Sequence, residues 1–330
     1  MQHTKPLVSL ICPVYNEAAS VDALMQAIAS LQTLIASDYD LELIVINDGS
    51  VDSSLSQLRS YQARYAWLSI IDLSRNFGKE AALSCGLHEA GGDCVIPIDA
   101  DLQDPPELIP KMLKAWQTEG FEVVLAKREF RQTDTWSKRT SAGWFYRIHN
   151  YLASPTLPED VGDFRLMDRR VVNALCEMPE RQRFMKGLFA WVGFRQTTML
   201  YERAARSQGE SRFGLWKLWN LALEAITSFS TLPLRIWTYV GLTIALIAMA
   251  YGLFIITNVL LYGRDVPGYA SLMIVILFLG GVHLIGLGVL GEYLGRTYME
   301  TKRRPIYVIR DRYNGHQGGH FITKHTKTFD

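Results

Sequence analysis

The chain lacks an excess of either charge. Its 330 residues carry 34 Lys and Arg against 33 Asp and Glu, a formal net charge of +1. That balance excludes a nucleic-acid binder working through a basic face. A hydrophobic content of 48% excludes a disordered chain. Cysteine is scarce too: Cys12, Cys85, Cys94 and Cys176 show no CxxC spacing. Buried free thiols in a reducing compartment are therefore expected, not zinc or disulfides. No signal peptide is expected, because Met1 to Lys5 is polar and the apolar run Leu7 to Ile11 is too short. The last absence is local. Ile236 to Tyr262 and Val266 to Gly291 contain no Asp, Glu, Lys or Arg. Each run is long enough to cross about 30 Å of hydrocarbon. Only Gly263-Arg264-Asp265 separates them. Positive charge collects outside the pair, at Arg212, Lys217 and Arg235 before it and Arg296, Lys302, Arg303 and Arg304 after it. The positive-inside rule then puts both termini in the cytoplasm and the short loop outside.

What is present ahead of these runs is an alternation. Apolar, β-leaning stretches Val8 to Cys12, Leu41 to Ile46, Trp67 to Leu73, Cys94 to Ile98 and Glu122 to Ala126 read as strands. Helical periodicity separates them. Val21, Leu24, Ile28, Leu31 and Ile35 mark a helix begun by Asn16 or Ser20, Asp52 and Ser53 open the next, a third ends near Ala90, and Pro106 to Gln117 forms a fourth. This spacing predicts an α/β domain, a mainly parallel sheet with helices on both faces. Polar residues gather where the strands end: Tyr15 and Glu17, Asp48, Asn76, Asp99 and Asp101, Arg128. Open α/β sheets bind ligands at that edge.

The run Ile98-Asp99-Ala100-Asp101-Leu102-Gln103-Asp104-Pro105-Pro106-Glu107 is the centre of the reading. In extended backbone, residues two apart face one side, so Asp99 and Asp101 converge where the fourth strand runs out. Neighbouring carboxylates repel, and a hard divalent cation relieves them; Mg²⁺ takes one or two carboxylates and completes its shell with water and phosphate. Gln103 adds a neutral oxygen. Asp104, followed by two prolines and Glu107, is expected to cap the next helix.

Beyond Arg128 the signals weaken. Trp136 to Leu152 suits either an amphipathic core helix or a membrane-surface helix. Tyr201 to Arg212 ends in a basic Gly/Ser loop, and Leu215 to Ile226 carries Trp216 and Trp219 in an apolar stripe, the pattern of an interfacial helix. Gly286-Leu287-Gly288-Val289-Leu290-Gly291 matches GxGxxG, but no strand precedes it, so a nucleotide role is rejected. Gly291 and Gly295 are expected in a close helix–helix contact, within or between chains, which leaves oligomeric state open.

Pro13-Val14-Tyr15-Asn16-Glu17, Asn47-Asp48-Gly49-Ser50-x-Asp52, Asn76-x-Gly78-Lys79 and Asp99-Ala100-Asp101-Leu102-Gln103-Asp104-Pro105-Pro106 together resemble glycosyltransferase family 2, the inverting GT-A enzymes. With Gly162-Asp163-Phe164-Arg165 and the two spans, the chain is similar to polyprenyl-phosphate hexosyltransferases. These include the bactoprenol glucosyltransferases of O-antigen and lipopolysaccharide modification and, more distantly, dolichol-phosphate mannose synthases. The processive members carry Gln-x-x-Arg-Trp, which is absent here, so a single transfer is implied.

The resemblance implies a Rossmann-like GT-A domain over 1–213, an interfacial helix over 214–232, a transmembrane hairpin over 233–296 and a cytosolic tail over 297–330. It implies that Pro13, Tyr15, Glu17 and Asp48 hold uridine and ribose, and that Asp99 and Ala100 contact the nucleotide. Asp99, Asp101 and Gln103 would hold Mg²⁺ or Mn²⁺, and Arg128, Lys186, Arg206 and Arg212 would bind donor or acceptor phosphates. Asp163 is the family's candidate base. An acceptor phosphate monoester has a second pKa near ~6 and needs little deprotonation, so Asp163 is expected to orient the reactants. The implied reaction moves glucose from UDP-glucose to undecaprenyl or another polyprenyl phosphate at the cytoplasmic face of a bacterial inner membrane. The alternatives are another sugar (mannose, an aminosugar or aminoarabinose) and a non-catalytic sugar-nucleotide-binding membrane protein.

Overall fold

The computed structural model describes residues 5–128, 161–181, 183–201, 232–262 and 268–314. The chain forms two compact units, one of residues 1–144, 157–213 and 305–330, the other of 145–156 and 214–304. The expected helix over Trp136 to Leu152, the interfacial stripe at Leu215 to Ile226, and Arg206 and Arg212 lie outside the described residues.

The first unit is built on β1 (Leu7–Val14), α1 (Val21–Ile35), β2 (Asp40–Asn47), α2 (Ser54–Gln62), β3 (Leu68–Leu73), α3 (Lys79–Glu89), β4 (Cys94–Pro97), a 3₁₀ turn (Pro106–Leu108), α4 (Ile109–Glu119) and β5 (Val123–Arg128). The five strands read from sequence are all present, within two residues of their expected ends. β1 and β4 are apolar and almost wholly buried, as a sheet covered on both faces requires. Helix α1 buries Val21, Leu24, Met25, Ile28, Leu31 and Ile35, one stripe at 3.6-residue spacing. Its N-cap is Ser20, one of the two starts expected. On α3 the stripe is made of small residues, and a β-carbon on Gly86 would lie 2.9 Å from Ile11 Cβ. Only glycine lets this helix sit that close to β1 and β2.

Three further strands join the sheet: β6 (Val161–Asp168), followed by α5 (Arg169–Glu177) and α6 (Met185–Trp191), then β7 (Gln196–Tyr201) and β8 (Ile309–Tyr313). The order is β7-β5-β6-β4-β1-β2-β3-β8. β6 runs antiparallel between β4 and β5, and β8 runs antiparallel along β3. The remaining pairings are parallel. β8 lies in the stretch set apart above as a tail, yet it is the edge strand of the eight-stranded sheet. Its polar sequence Ile-Arg-Asp-Arg-Tyr carries no apolar alternation to announce it, because an edge strand with exposed side chains need not be apolar.

Two local expectations change. Strand β4 ends at Pro97, so Asp99 and Asp101 do not converge by strand alternation. Both reach the cleft from a turn, in which Leu102 N–H donates to the Asp99 carbonyl at 3.3 Å and Leu102 holds a positive φ of 51°. Asp104 does not cap: the N-cap of the 3₁₀ turn is Pro105, with no side-chain capping bond. Instead the buried Asp104 carboxylate accepts the Tyr201 hydroxyl, tying this turn to the end of β7.

The second unit consists, among the described residues, of α7 (Leu232–Tyr262) and α8 (Tyr269–Thr301). Ile236–Asn258 and Phe278–Thr301 are long and apolar enough to cross a membrane. The two helices approach where the Trp237 indole lies against Gly286, which has no room for a β-carbon. Gly291 and Gly295, expected at the contact, have no atom within 4 Å of where a β-carbon would stand. The bulky partner chooses the contact point, and Trp237 selects Gly286.

Candidate active site

The carboxyl ends of β1, β2, β3 and β4 open on a cleft of about 270 Å³ lined by Pro13, Val14, Tyr15, Glu17, Asp48, Asn76, Gly78, Lys79, Asp99, Ala100 and Asp101. Side chain–backbone bonds stitch its loops together. Asn16 N–H donates to Ser50 Oγ at 3.0 Å, and Val51 N–H to Asn16 Oδ1 at 2.9 Å. Asp52 accepts from Ala18 N–H at 3.1 Å and Ser54 N–H at 3.0 Å. Asp52 is thus scaffold, fixing the first two loops against each other. Asp48 does the same for the third loop, accepting Phe77 N–H at 2.7 Å and Gly78 N–H at 2.9 Å. Burial, the largest influence on Asp48, leaves its carboxyl above the usual range although both N–H groups pull it down. Gly49 between these loops has φ +66°, and a β-carbon there would lie 2.6 Å from the Asn76 nitrogen. No other residue fits.

Lys79, the first residue of α3, bridges two carboxylates. Its ammonium lies 2.7 Å from Asp99 Oδ1 and 2.8 Å from Asp163 Oδ2. Burial opposes charge on Lys79, but Asp163 and Asp99 outweigh it and hold the ammonium above its ordinary range. The same balance holds Asp163 below the carboxylate range: burial raises it, and Lys79 foremost, then Lys186 and Arg165, bring it down. Asp163 is therefore a fixed anion and a weak proton acceptor. Arg165, two residues along β6, lies over the Phe189 ring at 4.1 Å and donates to the Gly162 carbonyl at 2.7 Å. Burial pulls its guanidinium down to about 10, which leaves it charged at neutral pH. Beside this group Glu80 accepts Met185 N–H at 3.2 Å. Burial, then Asp163, pushes its carboxyl up to about 7. Cys12 lies beneath the cleft, and burial, then Asp99, keeps its thiol protonated.

The glycosyl transferase family 2 profile matches residues 9–176, and the GtrB C-terminal hairpin profile matches residues 232–297. An Escherichia coli K12 protein named prophage bactoprenol glucosyl transferase homolog is 49% identical over 303 residues, covering 92% of this chain and 98% of that one. The chain belongs to glycosyltransferase family 2. A bactoprenol glucosyl transferase of Shigella phage SfII is likewise 49% identical, over 93% of this chain and 99% of its own. An uncharacterized Synechocystis glycosyltransferase is 51% identical over 92% of this chain and 95% of its own.

In this glycosyltransferase, the cleft gathers Pro13, Tyr15, Glu17, Asp48, Asp99, Ala100 and Asp101, the nucleotide-sugar residues expected from sequence apart from Arg128. Asp163 joins them through Lys79. Lys186, in the first turn of α6, is placed so that Asp163 and Glu80 both feel its charge. Arg128 is the last residue of β5, paired in register with Tyr201. Gln103 is 4% exposed and does not line the cleft; its N–H donates to Asp101 Oδ1 at 3.2 Å, and its buried Nε2 has no partner among the described residues. Sequence reasoning gave no role to Lys79 or Glu80. The only signal for Lys79 was its place in the Asn76-x-Gly78-Lys79 motif; its acidic neighbours Asp99 and Asp163 are far along the chain.

The lining also tests the divalent cation implied by the family. It holds four carboxylates, Glu17, Asp48, Asp99 and Asp101, against one ammonium, Lys79. Such a surface repels a diphosphate unless a cation intervenes. Among the described residues no cluster of three or more His, Cys, Asp or Glu side chains could cage a metal. The donor set fits a hard cation that takes one or two carboxylates and leaves its remaining positions to phosphate and water.

Proposed function

We propose that this glycosyltransferase moves glucose from UDP-glucose to a polyprenyl phosphate, with inversion, at the cytoplasmic face of a membrane. The observation that carries the reading is the acidic cleft at the strand ends in a chain that also bears the hairpin. The names of relatives that match this chain over nearly their whole length support the substrates. Pro13, Tyr15, Glu17 and Asp48 hold the uridine end. Asp99 and Asp101 are the residues that would hold Mg²⁺ or Mn²⁺, which when bound would offset charge growing on the leaving diphosphate; Gln103, buried and off the cleft, holds Asp101 through its backbone N–H instead. An acceptor phosphate oxygen forms a bond to the sugar's anomeric carbon from the face opposite the departing UDP, so the old carbon–oxygen bond breaks as the new one forms.

The acceptor oxygen arrives already ionised, since a phosphate monoester's second pKa is near ~6. Asp163 has no proton to remove. Held by Lys79 at 2.8 Å, it orients the sugar and acceptor, while Lys186, Arg206 and Arg212 draw in the acceptor phosphate. Arg128 serves the donor phosphates. The polyprenyl chain is costly to withdraw from the bilayer, at ~0.8 kcal/mol per CH₂, so the hairpin brings the site to the headgroup plane. Basic residues flanking it, Arg235 before and Lys302, Arg303 and Arg304 after, set the catalytic unit and both termini on the cytoplasmic side.

The test is purified full-length protein with polyprenyl phosphate, Mg²⁺ or Mn²⁺, and a donor panel of UDP-glucose, UDP-N-acetylglucosamine and GDP-mannose, read by mass of the lipid product. Hexosyl lipid from UDP-glucose alone, abolished by a chelator, is expected. Product only from GDP-mannose overturns the donor, and UDP release without lipid product overturns the acceptor. Asp163→Asn is expected to lower the rate at every pH. A rate loss confined to low pH and restored above pH ~7 would instead mark Asp163 as a base.

A further inference from the structure

The strand that follows the second membrane helix reaches the nucleotide end of the sheet. β8 pairs with β3 so that Ile309 stands opposite Leu73, at the cleft end, and Tyr313 opposite Ile70, far from it. At the cleft end Ser74 N–H donates to the Val308 carbonyl at 2.9 Å, and Arg310 Nη2 donates to the Ser74 carbonyl at 2.7 Å. Arg310 Nη1 lies 3.4 Å from Asp72 Oδ2. Asp72 is a buried carboxylate, 1% exposed, whose other oxygen accepts Asn47 Nδ2 at 2.6 Å.

Those contacts meet the cleft on two sides. Asn47 ends β2, and its Oδ1 accepts Ser50 N–H at 3.4 Å. The next residue, Asp48, grips Phe77 and Gly78. Ser74 leads from β3 into Asn76 and Gly78, which line the cleft. One buried carboxylate thus ties the ends of β2 and β3, and Arg310 supplies a cation to it. The other anchors of this segment lie elsewhere: Arg312 pairs with Glu89 at 2.9 Å, in the last turn of α3, and Arg59 covers the Tyr313 ring at 4.6 Å.

We infer that Arg310 is a positioning residue for nucleotide binding, acting through Asp72 and Ser74 on the two loops that carry Asp48, Asn76 and Gly78. The inference rests on reading the cleft as a nucleoside diphosphate site. It has a consequence for the order of the chain. The loops of the pocket are braced by a strand that is synthesised only after both apolar helices, so a chain ending with the hairpin has an unbraced site. Removing everything after Arg235 takes this brace away together with the hairpin, and does not isolate the hairpin's contribution.

The experiment uses full-length detergent-extracted protein and titrates UDP and GDP in the presence of Mn²⁺, for wild type, Arg310→Ala, Arg310→Lys and Arg312→Ala. Arg310→Ala should weaken UDP binding roughly fivefold and raise the donor KM by the same factor, with kcat within about twofold. Arg310→Lys should recover part of the loss. Arg312→Ala breaks an ion pair on the same strand and should leave UDP binding unchanged, whatever it does to the melting midpoint. Equal losses of affinity in Arg310→Ala and Arg312→Ala would reduce β8 to a general edge strand and overturn the inference. Unchanged affinity in Arg310→Ala would also overturn it. A wild type that takes GDP in place of UDP overturns the donor assignment alone, and the variant ratio is then read with GDP. Binding of neither nucleotide overturns both.

Discussion

Leucine and isoleucine meet opposite surroundings in the two units. Leu24 and Ile28 of α1 are fully buried, whereas Leu246 and Ile247 of α7 are 55% and 64% exposed. The side chains are the same kind, and so is the secondary structure. In α1 the apolar residues form one stripe, which the sheet covers. In α7 and α8 they run all round the helix, and two helices cannot cover each other's full circumference. Such a surface suits hydrocarbon. Charge is distributed in the converse way: the spans carry almost none, while the sheet unit concentrates carboxylates at one edge. A sheet can do this because strand ends release the backbone into loops at the surface, where N–H groups hold the anions, as Phe77 and Gly78 hold Asp48.

Breaking the charged half of this comparison has the largest expected effect. Asp101→Asn should lower sugar transfer about 100-fold or more and leave the melting midpoint unchanged, since among the described residues Asp101 accepts one backbone bond, from Gln103 N–H. A large drop in the midpoint with the rate would show that the carboxylate serves the fold. The apolar half is sharpened by a matched pair. Leu24→Ala should cost about 3 kcal/mol in denaturant unfolding, whereas Leu246→Ala in detergent should change the unfolding free energy by no more than about 0.5 kcal/mol. A cost at Leu246 equal to that at Leu24 would mean that protein, not lipid, covers α7.

The smallest effect concerns Glu80, a carboxyl in the sheet unit that burial places at odds with its own charge. Its folded pKa, about 7, lies above the ordinary 4.5. Between those values the folded state holds the proton that the unfolded state has released, so stability from this group falls as pH rises. Glu80→Gln should therefore raise the melting midpoint at pH 8, change it little at pH 4, and flatten the slope between. A thermal series across that range checks the sign, and an identical slope in the variant would refute the assignment.

Much of the site was legible because it depends on short-range signals. Strand ends show in the apolar pattern, and Pro13, Tyr15, Glu17, Asp48, Asp99 and Asp101 each stand where a strand runs out. Gly49 could be read as a turn residue, but not as the point where two loops touch. Asp104 misled because its neighbours Pro105 and Pro106 mimic a capped helix start, while its actual partner, Tyr201, is 97 residues away. The antiparallel insertion of β6 and the return of β8 were not legible either. Pairing across a sheet leaves little trace in sequence when the partner strands are far apart along the chain.

The sequence by itself determined the alternation that makes an α/β sheet, the edge where polar groups collect, the family, and two helices long and apolar enough to cross a membrane. All of these follow from local periodicity and from motifs of adjacent residues. Tertiary structure alone decided that Lys79 would stand between Asp99 and Asp163, that Glu80 would be pressed toward neutrality, and that a strand from beyond the hairpin would brace Asp72. Each of these is set by distances between segments brought together only on folding, where burial and neighbouring charge, rather than residue type, fix what a side chain does.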